Sequence, residues 1–329
     1  MKVIIPAAGV GTRLRPHTYT APKALLHVAG KPILAHILDR IVGLPEVEEI
    51  IIITGFLGDK VRNYVNAHYQ ANIRFVSQQV LKGLGYAIHL AVKHLDGQPA
   101  LIVLGDTILE TDFSRFIRPG ENVIGVRDVE NPQDFGVVEV THGRITRLVE
   151  KPREPVSTLA VVGIYGITSI GLLQECLGEI VDGNSTTRGE IQITDALQSM
   201  VERGATMVPQ RVSGWFDCGT VETLLATNRH LLEGVADTRQ PAGSIVFPPS
   251  YISPTAEVVR SIIGPYAAVG EGARIIESIV RDAIIGEHAQ VSRMLLENSM
   301  IGNAAVVTGT FDQINVGDYA EIGGNAPSG

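Results

Sequence analysis

Ala7, Ala8, Gly9, Val10, Gly11 and Thr12 form a run of small residues directly after Pro6, and Arg13, Arg15 and Lys23 follow closely. Small side chains let backbone N–H groups approach a ligand and make a concave anion site. Phosphate needs donors and charge neutralisation together, so this loop with its cations points to a phosphate-rich ligand. Two common phosphate loops do not match. A Rossmann dinucleotide turn needs a third glycine where Leu14 stands, and Pro16 and Pro22 bar a helix from starting directly after the turn. The Walker pattern G-x-x-x-x-G-K-[ST] is absent, as is a G-x-S-x-G nucleophile motif.

The elements that position the loop follow from the apolar pattern. Val3, Ile4 and Ile5 read as a strand buried on both faces of a parallel sheet and ended by Pro6. A helix is expected from Lys31-Pro32-Ile33, with Ile33, Leu34, Ile37, Leu38 and Ile41 on one face. Strands are expected at residues 50–54, 73–76 and 101–104, and helices at 59–68 and 84–95. This alternation predicts a doubly wound, Rossmann-like α/β sheet whose ligand crevice lies at the carboxyl ends of its strands. Both the loop after Ile5 and Asp106, which follows Leu104-Gly105, fall at such ends. Residues 122–167 change to short alternating strands and read as a β-rich insertion closing over the sheet. Helices then return at 170–180, 193–203 and 221–232, with a strand at 206–212 and the segment 215–217 between them.

Composition bounds the class. The chain has 329 residues, 45% hydrophobic and 19% charged, with mean hydropathy +0.18, enough for a sizeable core in two domains. Lys plus Arg number 27 against 35 Asp plus Glu, a net charge of −8, which argues against a general nucleic-acid surface and makes any anion site local. No apolar segment reaches the roughly 18 residues that span a bilayer, and no signal peptide is seen, so no membrane partner and a cytoplasmic location are expected. Cys176 and Cys218 give neither a disulfide framework nor a zinc spacing and read as packing residues.

Residues 237–329 differ from residues 1–236. Ile263-Gly264, Val269-Gly270, Ile285-Gly286 and Ile301-Gly302 each open a hexapeptide with Ala at its fifth place. Such hexapeptides resemble the left-handed parallel β-helix, whose aliphatics fill a triangular core. The clearest turns are spaced 22 and then 16 residues apart, which predicts three to five coils.

The amino-terminal stretch carries a more specific resemblance. Gly9, Gly11, Thr12, Arg13, Leu14, Pro16 and Thr18, followed by Pro22, Lys23, Leu25 and Leu26, are similar to the signature of sugar-1-phosphate nucleotidyltransferases. Residues 1–232 most resemble the long-type glucose-1-phosphate thymidylyltransferases. In such a transfer a sugar-phosphate oxygen attacks the α-phosphorus of a nucleoside triphosphate and pyrophosphate leaves in line. The nucleophile is already an anion, so the protein must supply cations, a metal and alignment instead of a base.

The resemblance implies roles position by position. Ala8, Gly9, Gly11 and Thr12 would bind the triphosphate through backbone donors, Arg13 would stabilise the departing pyrophosphate, and Lys23 would contact phosphate across the site. Gln78 and Gly83 would read a thymine or uracil edge, with Gln79 as the alternative if the loop is shifted. Asp106 and Asp217 would hold Mg²⁺. On the sugar side, Glu150 would accept from hydroxyls, Lys151 would pair the sugar phosphate, and Gly136 and Val161 would line the sugar. Arg188, in Arg188-Gly189-Glu190, would add charge near that phosphate, while Thr194 and Asp195 either join it or cap the next helix. Phe135 stands where relatives often carry Tyr.

The activity implied is dTTP:glucose-1-phosphate thymidylyl transfer with Mg²⁺ as cofactor, in a homo-oligomer whose β-helix supports assembly. The alternatives are UTP-dependent glucose- or N-acetylglucosamine-1-phosphate uridylyl transfer, mannose-1-phosphate guanylyl transfer, a non-catalytic regulatory subunit, and a bifunctional enzyme with an acetyltransferase tail in which His288 would be the base.

Overall fold

The computed structural model describes residues 1–235 and 239–310, so the expected domain boundary at 236/237 and the tail beyond 310 lie outside the described residues. By its internal contacts the chain divides into two units, Met1–Gly234 and Val235–Gly329.

In the first unit β1 (Lys2–Ala7) runs one residue past Pro6. Proline is tolerated there because its carbonyl, not an N–H, is used: Gly105 N donates to Pro6 O at 3.0 Å. After the loop come three short 3₁₀ turns, then the hairpin β2 (His27–Val28) and β3 (Lys31–Pro32). Lys31 and Pro32 thus belong to a hairpin, and α1 (Ile33–Ile41) starts after them with all five of its expected core residues buried.

The alternation continues through β4 (Glu49–Thr54), α2 (Gly58–His68), β5 (Ile73–Ser77), α3 (Leu84–Val92) and β6 (Ala100–Val103). Helix α3 stops short of residue 95 because its last turn tightens, His94 N and Leu95 N donating to Ala91 O and Val92 O. Strands β6, β1, β4 and β5 lie side by side in parallel.

The remaining elements are β7 (Thr107–Glu110), β8 (Asn122–Asp128), β9 (Gly136–Thr141), β10 (Arg144–Glu150), β11 (Leu159–Ile167), α4 (Ile170–Asp182), α5 (Ile193–Glu202), β12 (Met207–Arg211), β13 (Gly214–Asp217) and α6 (Val221–Glu233). The β-rich segment extends the sheet instead of closing over it. One edge of β11 runs along β8, and the other is shared by β9 near its start and β6 near its end. A nine-stranded mixed sheet results, with α3, α4 and α5 sharing an apolar core on it through Ile88, Leu177, Leu197 and Met200.

Among the described residues of the second unit, three parallel stacks of four strands form the β-helix expected from the hexapeptides. Val246, Ile263, Val280 and Leu296 point inward, and Ile262, Ile279 and Leu295 stand in register 17 and 16 residues apart. Val269, Ile285 and Ile301 share one face, whereas Ile263 pairs with Val280 on another, so the 22-residue spacing joined positions from two faces. Ala273 and Ala289 are buried in the corners that Gly270 and Gly286 close. Among the described residues no helix is long and apolar enough to cross a membrane.

Candidate active site

The small-residue loop, the ends of β5 and β6 and the start of α3 enclose a cavity of about 440 Å³. Ala8, Gly9, Gly11, Thr12, Lys23, Gln78, Gly83 and Asp106 all line it. Gln78 is buried with its Nε2 3.5 Å from Gly83 O, while Gln79 is exposed and absent from the lining. Gly83 is held at φ +102°, and a Cβ there would lie 2.6 Å from Ile191 O, so the backbone at this edge admits only glycine. Leu81, Leu84, Ala87 and Glu190 also line the cavity. The sequence assigns them no role, although Leu84 and Ala87 follow Gly83 in its motif and Glu190 stands in Arg188-Gly189-Glu190.

Asp106, in the cavity lining, and Asp217, outside it, are brought near each other by a strand pairing with no local sequence signal. Strand β13 pairs antiparallel with β7, Asp217 opposite Thr107, and Cys218 N donates to Asp106 O at 3.2 Å. Asp106 accepts from Lys23 Nζ at 2.6 Å and from Thr107 Oγ1 at 3.3 Å. Asp217 accepts from Gly219 N at 3.1 Å. Its pKa is raised, mainly by burial and further by Asp106, with Lys23 and Arg13 pulling the other way. Arg13 reaches this group from outside the cavity lining: a Cβ on Gly219 would fall 2.5 Å from Asp217 Oδ2 and 2.9 Å from Arg13 Nη2. Arg15 instead lies over the Tyr19 ring at 5.1 Å and does not line the cavity.

A second cluster holds the sugar-side candidates. Glu150 ends β10 opposite Gly136, and its Oε2 accepts from Thr194 Oγ1 at 2.9 Å. Thr194 therefore does not cap α5, whose N-cap is Gln192 without a side-chain bond. Lys151 Nζ lies 3.8 Å from Glu150 Oε1, and Arg188 Nη2 donates to Lys151 O at 2.6 Å. Lys151 and Arg188 both have left-handed backbones, φ 42° and 56°. Val161 is buried in the sheet core, just before β11 breaks register with β8. None of Gly136, Glu150, Lys151, Val161 and Arg188 lines the cavity itself.

Cys218 beside Asp217 is buried and its thiol is pushed up to about 12 by burial, the behaviour of a packing residue and not of a thiolate ligand. Among the described residues no cluster of three or more His, Cys, Asp and Glu is placed to hold a metal. Asp106 and Asp217 offer two carboxylates and, among the described residues, no third such ligand, so a cation there would depend on substrate oxygens for its other ligands.

Residues 2–234 match the model of the nucleotidyl transferase family. Glucose-1-phosphate thymidylyltransferase of Streptomyces antibioticus is 30% identical over 358 aligned positions, covering 98% of this chain and 99% of its own. The bifunctional protein GlmU of Methanococcus vannielii is 33% identical over 242 positions and 71% of this chain, which spans 56% of that relative. A crystal structure of UDP-glucose pyrophosphorylase complexed with UDP-glucose superposes with a TM-score of 0.61 at 26% identity, covering 70% of this chain and 98% of that one. The cavity built on the loop after β1 lies inside the matched family region, and the chain belongs to the nucleotidyl transferase family as a sugar-1-phosphate nucleotidyltransferase.

Proposed function

We propose that the chain transfers a thymidylyl group from dTTP to glucose 1-phosphate, releasing pyrophosphate and giving dTDP-glucose. The observation that carries this is the convergence on one cavity of the loop amides, Lys23, Gln78, Gly83 and Asp106. The full-length similarity to a glucose-1-phosphate thymidylyltransferase supports the choice of substrates.

Amides of residues 8–12 bind the triphosphate, and Gln78 pairs with the pyrimidine edge through one donor and one acceptor. Lys23 and Arg13 neutralise the phosphates that would otherwise repel the incoming sugar phosphate, and Arg13 stabilises the departing pyrophosphate. Glu150, set by Thr194, accepts from sugar hydroxyls, while Lys151 and Arg188 hold the sugar phosphate so that its oxygen meets the α-phosphorus in line. As that oxygen bonds to phosphorus, the bond to the bridging oxygen of pyrophosphate breaks.

The carboxylates suit Mg²⁺: both are hard oxygen donors, and Asp106 raises the cost of charging Asp217, a repulsion that a dication removes. Bound between them, the ion would act as a Lewis acid on the phosphate oxygens. We assign residues 1–236 to catalysis and 237–329 to a β-helix domain that supports a homo-oligomer, in a cytoplasmic enzyme. Uridylyl transfer from UTP is the second reading, favoured by the likeness to UDP-glucose pyrophosphorylase and by the edge that thymine and uracil share.

The test is pyrophosphate release with Mg²⁺ over a matrix of five nucleoside triphosphates against glucose-, N-acetylglucosamine- and mannose-1-phosphates. A maximum with dTTP and glucose 1-phosphate is expected. A maximum with UTP renames the donor, and silence in every well removes the proposal.

A further inference from the structure

Strand β13 carries the Asp217 carboxylate, and successive side chains on a strand point to opposite faces. On one face Phe216 stacks on His230 of α6, ring centroids 4.1 Å apart, and His230 Nε2 meets Glu110 Oε1 at 2.8 Å. Trp215 is on the other face with Asp217. Its ring packs edge-on against Phe135, centroids 4.8 Å apart and planes at 70°, the preferred aromatic geometry.

Phe135 in turn belongs to the sugar-side cluster. Its carbonyl accepts from Lys151 N at 3.0 Å, and its neighbour Gly136 lies where a Cβ would come within 2.9 Å of Glu150 Oε2. One aromatic contact therefore joins the strand that carries Asp217 to the segment before β9 that meets Glu150, at the end of β10, and Lys151 after it.

We propose that Trp215 is a positioning residue that, through Phe135, sets the spacing between the Asp217 carboxylate and the Glu150–Lys151 pair. The inference rests on the nucleotidyl-transfer reading, in which these groups flank the bond being made. In-line attack tolerates little misplacement, and a shift of about 1 Å can cost on the order of a hundredfold in rate. The triphosphate loop, Gln78 and Gly83 are held by other elements, so triphosphate binding measured without a divalent cation should be insensitive to Trp215.

Trp215 is the chain's one tryptophan, which gives a readout independent of turnover. Titrating the wild type with glucose 1-phosphate alone should change the tryptophan emission saturably, and Phe135→Leu should blunt that change. Trp215→Leu should raise the KM for sugar 1-phosphate about tenfold and lower kcat by about ten- to a hundredfold. The Kd for the triphosphate measured without Mg²⁺ should stay within about twofold. Trp215→Phe, which restores an edge-on ring, should recover most of the loss.

A Trp215→Leu protein with wild-type circular dichroism and unchanged kcat and sugar KM overturns the proposal, as does an equal loss of triphosphate binding. If the wild type itself releases no pyrophosphate with any pair, the reaction reading fails instead. The emission titration then decides alone: a saturable response to sugar 1-phosphate supports the placement of Trp215, and no response overturns it.

Discussion

The two units treat charge in opposite ways. In the β-helix, charges are matched one coil to the next: Arg260 with Glu277, Arg274 with Glu257, and Arg281 with Glu297. In the first unit, Arg13, Lys23, Asp106 and Asp217 interact around one spot at the strand ends, where Asp217 bears an unfavourable burial and a like-charged neighbour. A repeated surface can neutralise itself rung by rung. A site that must grip a polyphosphate and a cation keeps its charges crowded, at a cost in stability that the surrounding sheet carries.

The largest expected effect breaks the crowded side of this comparison. Asp106→Asn and Asp217→Asn should each lower pyrophosphate release by about a thousandfold or more, since hard-oxygen ligation and charge stabilisation go together. Asp217→Asn should at the same time raise Tm. Its folded pKa lies above the unfolded value, so at neutral pH the ionised carboxyl penalises the folded state, and this penalty fades as pH falls toward 3.8. A melting curve of the variant that loses both the penalty and the pH slope would sharpen the contrast, and a lower Tm would argue that the loss of activity is unfolding.

Arg13→Ala comes next, with kcat expected to fall by about a hundred- to a thousandfold and little change in melting, because this exposed guanidinium acts on developing charge and not on packing. Thr194→Val removes a hydroxyl that donates to Glu150, and the KM for sugar 1-phosphate should rise about two- to tenfold with the triphosphate KM unchanged. In the β-helix, Ile275→Ala should cost about 2–5 kcal/mol by opening the buried prism, read by denaturation, with kcat unmoved. Glu277→Ala should cost at most about 1 kcal/mol, since its pair with Arg260 is largely exposed.

What was legible in the sequence followed local rules. The apolar runs at Val3–Ile5 and residues 50–53 read as buried strands and lie within β1 and β4, and the small-residue loop between β1 and the first 3₁₀ turn, read as an anion cradle, lines the cavity. Asp106 is visible because it follows such a strand. Local rules do not reach long-range pairing, and only the family resemblance put Asp217 with Asp106. Nothing in residues 107–110 announces that they will pair with residues 214–217, yet that register brings Asp217 to Asp106.

The segment 122–167 was correctly read as strands but wrongly as a cover, because edge-on joining to β6 is decided by which edge of the sheet remains unpaired. Thr194 looked as much like a helix cap as a site residue, since both roles use the same hydroxyl and only the position of Glu150 separates them. In the β-helix the aliphatic-glycine pairs gave the architecture, but a coil of 16 or 17 residues hides which face each pair occupies.

The most direct measurement is the fate of a label at the α-phosphorus. With α-³²P-dTTP, glucose 1-phosphate and Mg²⁺, the account predicts that the label appears in a sugar nucleotide and none in pyrophosphate. Label left wholly in dTTP, with α-³²P-UTP equally inert across the sugar phosphates, would contradict nucleotidyl transfer by this chain.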